Sequence, residues 1–209
     1  YDATGNQIWK KIYTDPGSQY ESARDMKFDN NGNVVITGYV SRDSASDILT
    51  LKIDPASGNE IWRASTASPG IYEDATAMDI DNLGNICITG SIFDQNNYDI
   101  ITLKYSPSGS LIFNRRFNGS SGIQDFGRSI TFDNSQNIYV AGEANYSGEK
   151  CDYILLKYGP SGNTLWGRYY DSGNHDEADM VVTDNLNNVI ISGLSWNSSS
   201  FVTTLKYNS

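Results

Sequence analysis

Asp81-Asn-Leu-Gly-Asn-Ile-Cys-Ile-Thr-Gly90 is a turn followed by an apolar strand that stops at glycine, and the chain writes this phrase four times. The other copies are Asp29-Asn-Asn-Gly-Asn-Val-Val-Ile-Thr-Gly38, Asp133-Asn-Ser-Gln-Asn-Ile-Tyr-Val-Ala-Gly142 and Asp184-Asn-Leu-Asn-Asn-Val-Ile-Ile-Ser-Gly193. Two more markers keep the same period. One is Ile8-Trp9, Ile61-Trp62, Ile112-Phe113 and Leu165-Trp166; the other is Leu51-Lys-Ile53, Leu103-Lys-Tyr105, Leu156-Lys-Tyr158 and Leu205-Lys-Tyr207. A repeat of roughly 50 residues with several strand-like runs per unit belongs to architectures built from small sheets.

The second unit shows the plan. Thr76, Met78 and Ile80 share one face at period two, the Asp81 turn leads into Ile86-Cys-Ile-Thr89, and a polar loop precedes Asp99-Ile-Ile-Thr-Leu-Lys-Tyr105. The turn Ser106-Pro-Ser-Gly109 then reverses the chain into Leu111-Ile-Phe113. Four short strands joined by turns make one antiparallel meander per unit. Asp29, Asp81, Asp133 and Asp184 can accept hydrogen bonds from N–H groups just downstream. Gly32 and Gly84 suit positive φ and Asn187 or Asn188 approximates it, whereas Gln136 predicts strain or a different turn. The spacing Asp29-x-Asn31-x-Asn33 superficially matches a calcium loop but lacks its later Gly and Glu, so it reads as a hairpin turn.

The middle strands carry apolar groups on both faces, as in Val34-Val-Ile36 and Tyr153-Ile-Leu-Leu156. Strands buried on both sides fit the blades of a β-propeller better than a one-sided sandwich. Trp9, Trp62, Phe113 and Trp166 would then fill the wedges between blades. The expectation is an all-β, single-domain β-propeller over 1–209, with four-stranded antiparallel blades at approximately 2–53, 54–105, 106–158 and 159–207. The chain opens on an outermost strand (Gln7 to Tyr13) and ends after three strands of the last unit. Its phase therefore predicts that Gln7 to Tyr13 pairs with Phe201 to Tyr207 and closes a four-bladed ring. Half of an eight-bladed ring formed by a homo-dimer, or a fragment of a larger propeller or parent protein, would give the same strand count. The abrupt start at Tyr1-Asp2 reads as a mature fragment or excised domain.

The formal charge of −10 and pI near 4.4 argue against binding a nucleic-acid backbone or an anionic membrane, since both need a basic patch. No run approaches the roughly 20 apolar residues of a membrane-spanning helix. The 14 Tyr and 19 Gly, with abundant Asn and Ser, suit an extracellular or cell-surface all-β protein. Cys87 and Cys151 have no counterparts in the other units; the simplest reading is two free thiols, with a disulfide between them as the alternative.

The repeat resembles the bacterial β-propeller repeats of large secreted and surface proteins, the SBBP repeats. The motifs that carry the likeness are the Asp-x-x-Gly-Asn-(Val/Ile)-x-(Ile/Val)-x-Gly segment, the aspartates Asp47, Asp99 and Asp152 before the third strand, the Leu-Lys-(Ile/Tyr) end, and the Ser-Gly-Asn-x-(Ile/Leu)-Trp turn. The fourth unit has Ser200 in place of that aspartate. The resemblance implies an extracellular or envelope location and a scaffold role, and it carries no catalytic residues to transfer.

One carboxylate recurs before every first strand of a unit: Glu21, Glu73, Asp125 and Asp176. A ring would bring the four acids to one mouth of the channel, where they could hold Ca²⁺. His175, the sole histidine, lies beside Asp176, so a His–Asp pair is a catalytic candidate and a solvated loop histidine the plainer one. No Gly-x-Ser-x-Gly elbow, P-loop or nicotinamide fingerprint is present. The four acids look equivalent, so the reading leans away from an enzyme. It favours a non-enzymatic binding or scaffold module with protein or carbohydrate partners, serving adhesion or matrix assembly. The alternatives are a lectin-like propeller stacking sugars on Tyr20, Tyr72, Tyr146 and Trp196, and a polysaccharide hydrolase or lyase using the mouth carboxylates.

Overall fold

The computed structural model describes residues 1–43, 45–94, 96–119, 124–144 and 150–208, with the side chain of residue 197 excepted. Tyr146 and Gly122 lie outside the described residues. Each repeat unit folds as an antiparallel meander. The first comprises β1 (Tyr20–Phe28), β2 (Val34–Arg42), β3 (Ala45–Ile53) and β4 (Glu60–Ser65). The second comprises β5 (Tyr72–Ile80), β6 (Ile86–Phe93), β7 (Tyr98–Tyr105) and β8 (Leu111–Phe117). The third comprises β9 (Phe126–Phe132), β10 (Ile138–Ala144), β11 (Asp152–Tyr158) and β12 (Thr164–Tyr170). The fourth has only β13 (Asp176–Thr183), β14 (Val189–Asn197) and β15 (Ser199–Tyr207).

These fifteen strands make three sheets of eight, four and three strands, and none closes into a ring. The eight-stranded sheet arises because one parallel bridge, Ser46 to Tyr72, joins β3 to β5. The closed propeller of four four-stranded blades is therefore not what forms. Residues 7–13 adopt no strand, and β15 pairs only with β14. The segment 7–13 is held by side chains: the Trp9 indole N–H donates to Pro55 O at 2.8 Å and the Tyr13 hydroxyl to Gly58 O at 2.8 Å. Tyr13 also covers Val40, Leu49 and Leu51. These contacts with the first meander satisfy the polar tips of the indole and phenol locally, and they replace the backbone pairing with the last sheet that the repeat phase predicted.

The core is divided among the seams between successive meanders. Val35, Ile48, Met78, Ile88 and Leu103 pack together at the first seam. Cys87, Ile100, Phe113, Val140 and Ile154 pack at the second, and Tyr139, Leu155, Val181 and Ile191 at the third. Trp62, Phe113 and Trp166 sit in or against these three clusters, which places the recurring aromatics between neighbouring units. A Cβ on Gly109 would come within 3 Å of the Trp62 ring, and one on Gly162 would strike Phe113, so these turn glycines leave room for the preceding unit's aromatic.

Asp81 Oδ1 accepts the N–H groups of Leu83 at 2.9 Å and Asn85 at 2.8 Å, and Asp29, Asp133 and Asp184 repeat the pattern. The Asp29-x-Asn31-x-Asn33 segment is thus a hairpin turn. Gln136 keeps the same turn at φ 64°, as does Asn187, so the third unit retains the geometry at some backbone strain. Both cysteines are free.

Candidate active-site groove

Each recurring acid lies at or just before the start of a unit's first strand, and in the second, third and fourth units that is where the unit meets the one before it. Asp125 N–H donates to Tyr98 O at 2.7 Å, and Asp176 N–H to Cys151 O at 2.8 Å. In the second unit the Ser46 hydroxyl donates to Glu73 O at 2.9 Å. The side chains turn back onto their own loops: Ser18 Oγ donates to Glu21, Ser68 Oγ to Glu73, Gly119 N–H to Asp125 and Ser172 N–H to Asp176. The four acids are not equivalent once folded. Glu21 is exposed, whereas Glu73, Asp125 and Asp176 are at most 1% exposed.

Glu73 differs again, because it lines a groove of about 480 Å³. Its Oε2 is buried without a hydrogen-bond partner. Burial lifts the Glu73 carboxyl above the ordinary glutamate value; the Thr66 and Ser68 hydroxyls oppose the shift and the Asp47 charge adds to it. Next along β5, Asp74 is clamped by the Arg24 guanidinium, Nε to Oδ1 at 3.1 Å and Nη2 to Oδ2 at 2.6 Å. The two neighbouring carboxyls therefore sit in different surroundings, one buried and half-satisfied, one ion-paired at the surface.

Tyr39, Tyr72, Tyr98 and Phe126 add aromatic faces to the groove. Tyr72, Phe93, Tyr98 and Phe126 form a continuous run with centroid separations of 6.4, 4.8 and 5.2 Å. Arg24 lies over Tyr39 and Arg128 over Phe126, which stiffens both rings. Arg128 also pairs with the buried Glu143, whose carboxyl burial pushes up against that attraction. Beyond Glu143, His175 Nε2 meets Glu177 Oε1 at 2.5 Å, so the histidine pairs with Glu177 rather than with its neighbour Asp176.

A β-bulge interrupts β5 between Ala75 and Ala77, opposite Gly90 on β6. A Cβ at Gly90 would lie 1.9 Å from Asp74 O, and the glycines at 38, 142 and 193 face the same obstruction from their own first strands. The glycine that ends each repeated phrase thus makes room for a bulge that aims the groove residues.

Arg24, Tyr39, Asp74, Tyr98, Phe126 and Arg128 were not singled out from sequence. A signal for most of them was present. One residue after the recurring acid the units carry Ser22, Asp74, Phe126 and Glu177, and three after it Arg24, Thr76, Arg128 and Asp179. These positions vary among the units while their surroundings repeat, as ligand-facing positions on a repeated frame do. Of the expected stacking residues, Tyr72 lines the groove, whereas Tyr20 and Trp196 stand exposed away from it.

Two three-residue sets bring potential metal-binding atoms within 4.8 Å of one another: Glu143, His175 and Glu177, and Asp152, Asp171 and Asp176. Only Asp176 among the four recurring acids belongs to either set. No helix among the described residues is long and apolar enough to cross a membrane.

Residues 118–147 match a family model described as SBBP: Beta-propeller repeat, a 30-residue match to one repeat. No curated protein matches the chain. Among solved structures, a protein assigned as an exo-beta-1,3-galactanase from Bifidobacterium bifidum s17 aligns with TM-score 0.52 at 14% identity, over 87% of this chain and 65% of its own. Polysaccharide lyase Uly1 aligns with TM-score 0.53 at 12% identity, over 91% of this chain and 47% of its own. A puromycin hydrolase complexed with PGG aligns with TM-score 0.51 at 11% identity, over 92% and 28%. This chain spans less than two thirds of each, and at these identities the likeness is one of fold.

These neighbours are named for catalysis, and the expectation of a non-enzymatic scaffold or binding module gives way to them. That expectation rested on the regular repeats, the acidic balance and the absence of a concentrated catalytic set, and the four acids looked too alike to take separate acid and base roles. Folding makes them unequal, because only one lines the groove.

Proposed function

We propose that the chain acts on polysaccharide, as a hydrolase or lyase, in the groove of Glu73 and Asp74. The observation that carries this reading is the groove itself: a buried carboxyl that favours its proton stands beside an Arg-clamped carboxylate on a floor of four aromatic rings. Acid–base cleavage of a glycosidic bond needs carboxyls whose environments differ. Glu73 donates the proton to the leaving oxygen, a step for which its buried carboxyl must first be released from Ser68 into the groove. Asp74, held by Arg24, takes up the proton released by the attacking water or by the sugar ring. Tyr39, Tyr72, Tyr98 and Phe126 stack on sugar faces and exclude water. A secreted or surface setting, as the repeat family implies, agrees with the acidic, Asn- and Ser-rich composition and would give access to such polymers.

The test is incubation of the purified chain with a panel of neutral and uronate-containing polysaccharides. Reducing ends report hydrolysis and ultraviolet absorbance of unsaturated uronide reports elimination. Glu73→Gln should lower turnover by about 100-fold or more, the usual contribution of a general acid, while Tyr98→Ala should chiefly raise KM. Saturable binding without turnover on any polymer would reduce the groove to a sugar-binding site and sink the catalytic reading.

A further inference from the structure

The geometry points to a site for a hard divalent cation, calcium by its carboxylate-rich ligand set, held by Asp152, Asp171 and Asp176 at the seam between the third and fourth meanders. Asp152 opens β11, Asp176 opens β13, and Asp171 sits in the loop after β12. One carboxylate oxygen from each lies within 4.8 Å of the other two. Asp152 is 3% exposed and Asp176 fully buried. The Asp176 carboxylate is only half satisfied: Oδ2 takes the Ser172 N–H at 2.8 Å, and Oδ1 is buried with no partner. The Ser172 hydroxyl, in the same loop, is also buried without a partner. Two orphaned oxygens beside three converging carboxylates form an acceptor-rich pocket, and a cation satisfies such a pocket where another hydrogen-bond acceptor cannot.

The donor set selects the ion class. It is all oxygen, with no imidazole or thiolate, which suits calcium or magnesium rather than zinc or copper. Magnesium usually keeps several waters and takes one or two carboxylates, so three converging carboxylates, two of them buried, favour calcium. The other acidic set is already served by protein cations and donors, since Arg128 pairs with Glu143 and His175 with Glu177.

The position gives the ion a purpose. The third and fourth meanders are separate sheets, tied at this point by the hydrogen bond from Asp176 N–H to Cys151 O. A cation shared by β11, the loop and β13 would staple them. This site lies apart from the groove of Glu73 and does not depend on its catalytic reading.

The experiment is calorimetric titration of the chelator-treated full chain with calcium chloride, with magnesium chloride and sodium chloride as parallel arms, and thermal melting in each. Expected are one saturable calcium site per chain, magnesium weaker by about tenfold or more, and a melting temperature that calcium raises and chelator restores. Asp171→Asn changes an exposed loop residue and should fold; it should weaken calcium binding about tenfold or more and remove the melting shift. Asp152→Asn should do the same, while Glu73→Gln should bind calcium as the parent does. Undiminished binding in folded Asp171→Asn would overturn the site. So would the absence of saturable heat at millimolar calcium, or several weak sites that sodium screens away.

Discussion

Glu73 shows how one repeated residue type acquires a private chemistry. Its sequence neighbours resemble those of Glu21, yet burial between β5 and the preceding unit leaves Oε2 unpartnered and favours the protonated form. The consequence for stability has a definite sign. The folded-state pKa lies above the ordinary value of 4.5, so the native state holds its proton longer than the unfolded chain does. The associated stability is fully present below the unfolded value and is lost as pH rises through the folded one. Glu73→Gln should therefore melt a few degrees higher than the parent at neutral pH and converge with it near pH 4. Melting curves across that range check this; equal melting at neutral pH would mean that Glu73 ionises without cost.

At the scale of elements, the Leu-Lys marker finds its explanation in ion pairs that link strand to turn. Lys52, Lys104, Lys157 and Lys206 reach from the third strand of each unit to Asp29, Asp81, Asp133 and Asp184. The Lys52 and Lys104 ammonium groups also donate to Pro107 O and Pro160 O of the following unit, at 3.2 and 3.1 Å. Burial decides what each pair is worth. Lys104 and Asp81 side chains are 3% and 2% exposed, so Lys104→Met strands a buried carboxylate and should cost about 3 kcal/mol. Lys206 is 53% exposed, and Lys206→Met should cost less than about 1 kcal/mol. Urea unfolding of the two variants separates them; equal losses would refute the argument from burial. Turn, lysine and terminal glycine were all legible as a pattern. That the lysine answers the turn's aspartate was not, because the partners stand over 20 residues apart in sequence.

For the whole molecule, division of the core among three seams makes stability a property of neighbours. The second and third meanders are packed on both sides, whereas β1 and β15 are largely exposed. Met26 and Phe28 on β1, and Met180, Val182 and Val202 on the last sheet, lack apolar cover. In an array held by nearest-neighbour interfaces, opening begins at the ends. Amide exchange should be slowest in β6, β7, β10 and β11, and fastest in residues 7–13, β1 and β15. Uniform protection across all four meanders would show a single cooperative unit instead.

The sequence by itself determined the unit: its period, its antiparallel turns and the aspartates that lock them, because these depend on hydrogen bonds and backbone angles within a few residues. It also marked where a first strand begins by repeating an acid there. Only the tertiary structure decided how the units associate, since closure depends on whether residues 7–13 gain more from pairing with β15 or from packing Tyr13 and hydrogen-bonding Trp9 on the first meander. It alone separated Glu73 from Glu21, because a carboxyl's chemistry is set by what surrounds it. The aromatic floor, the Arg24 clamp and the convergence of Asp152 on Asp171 and Asp176 likewise join residues from different units, and no local pattern encodes such distances.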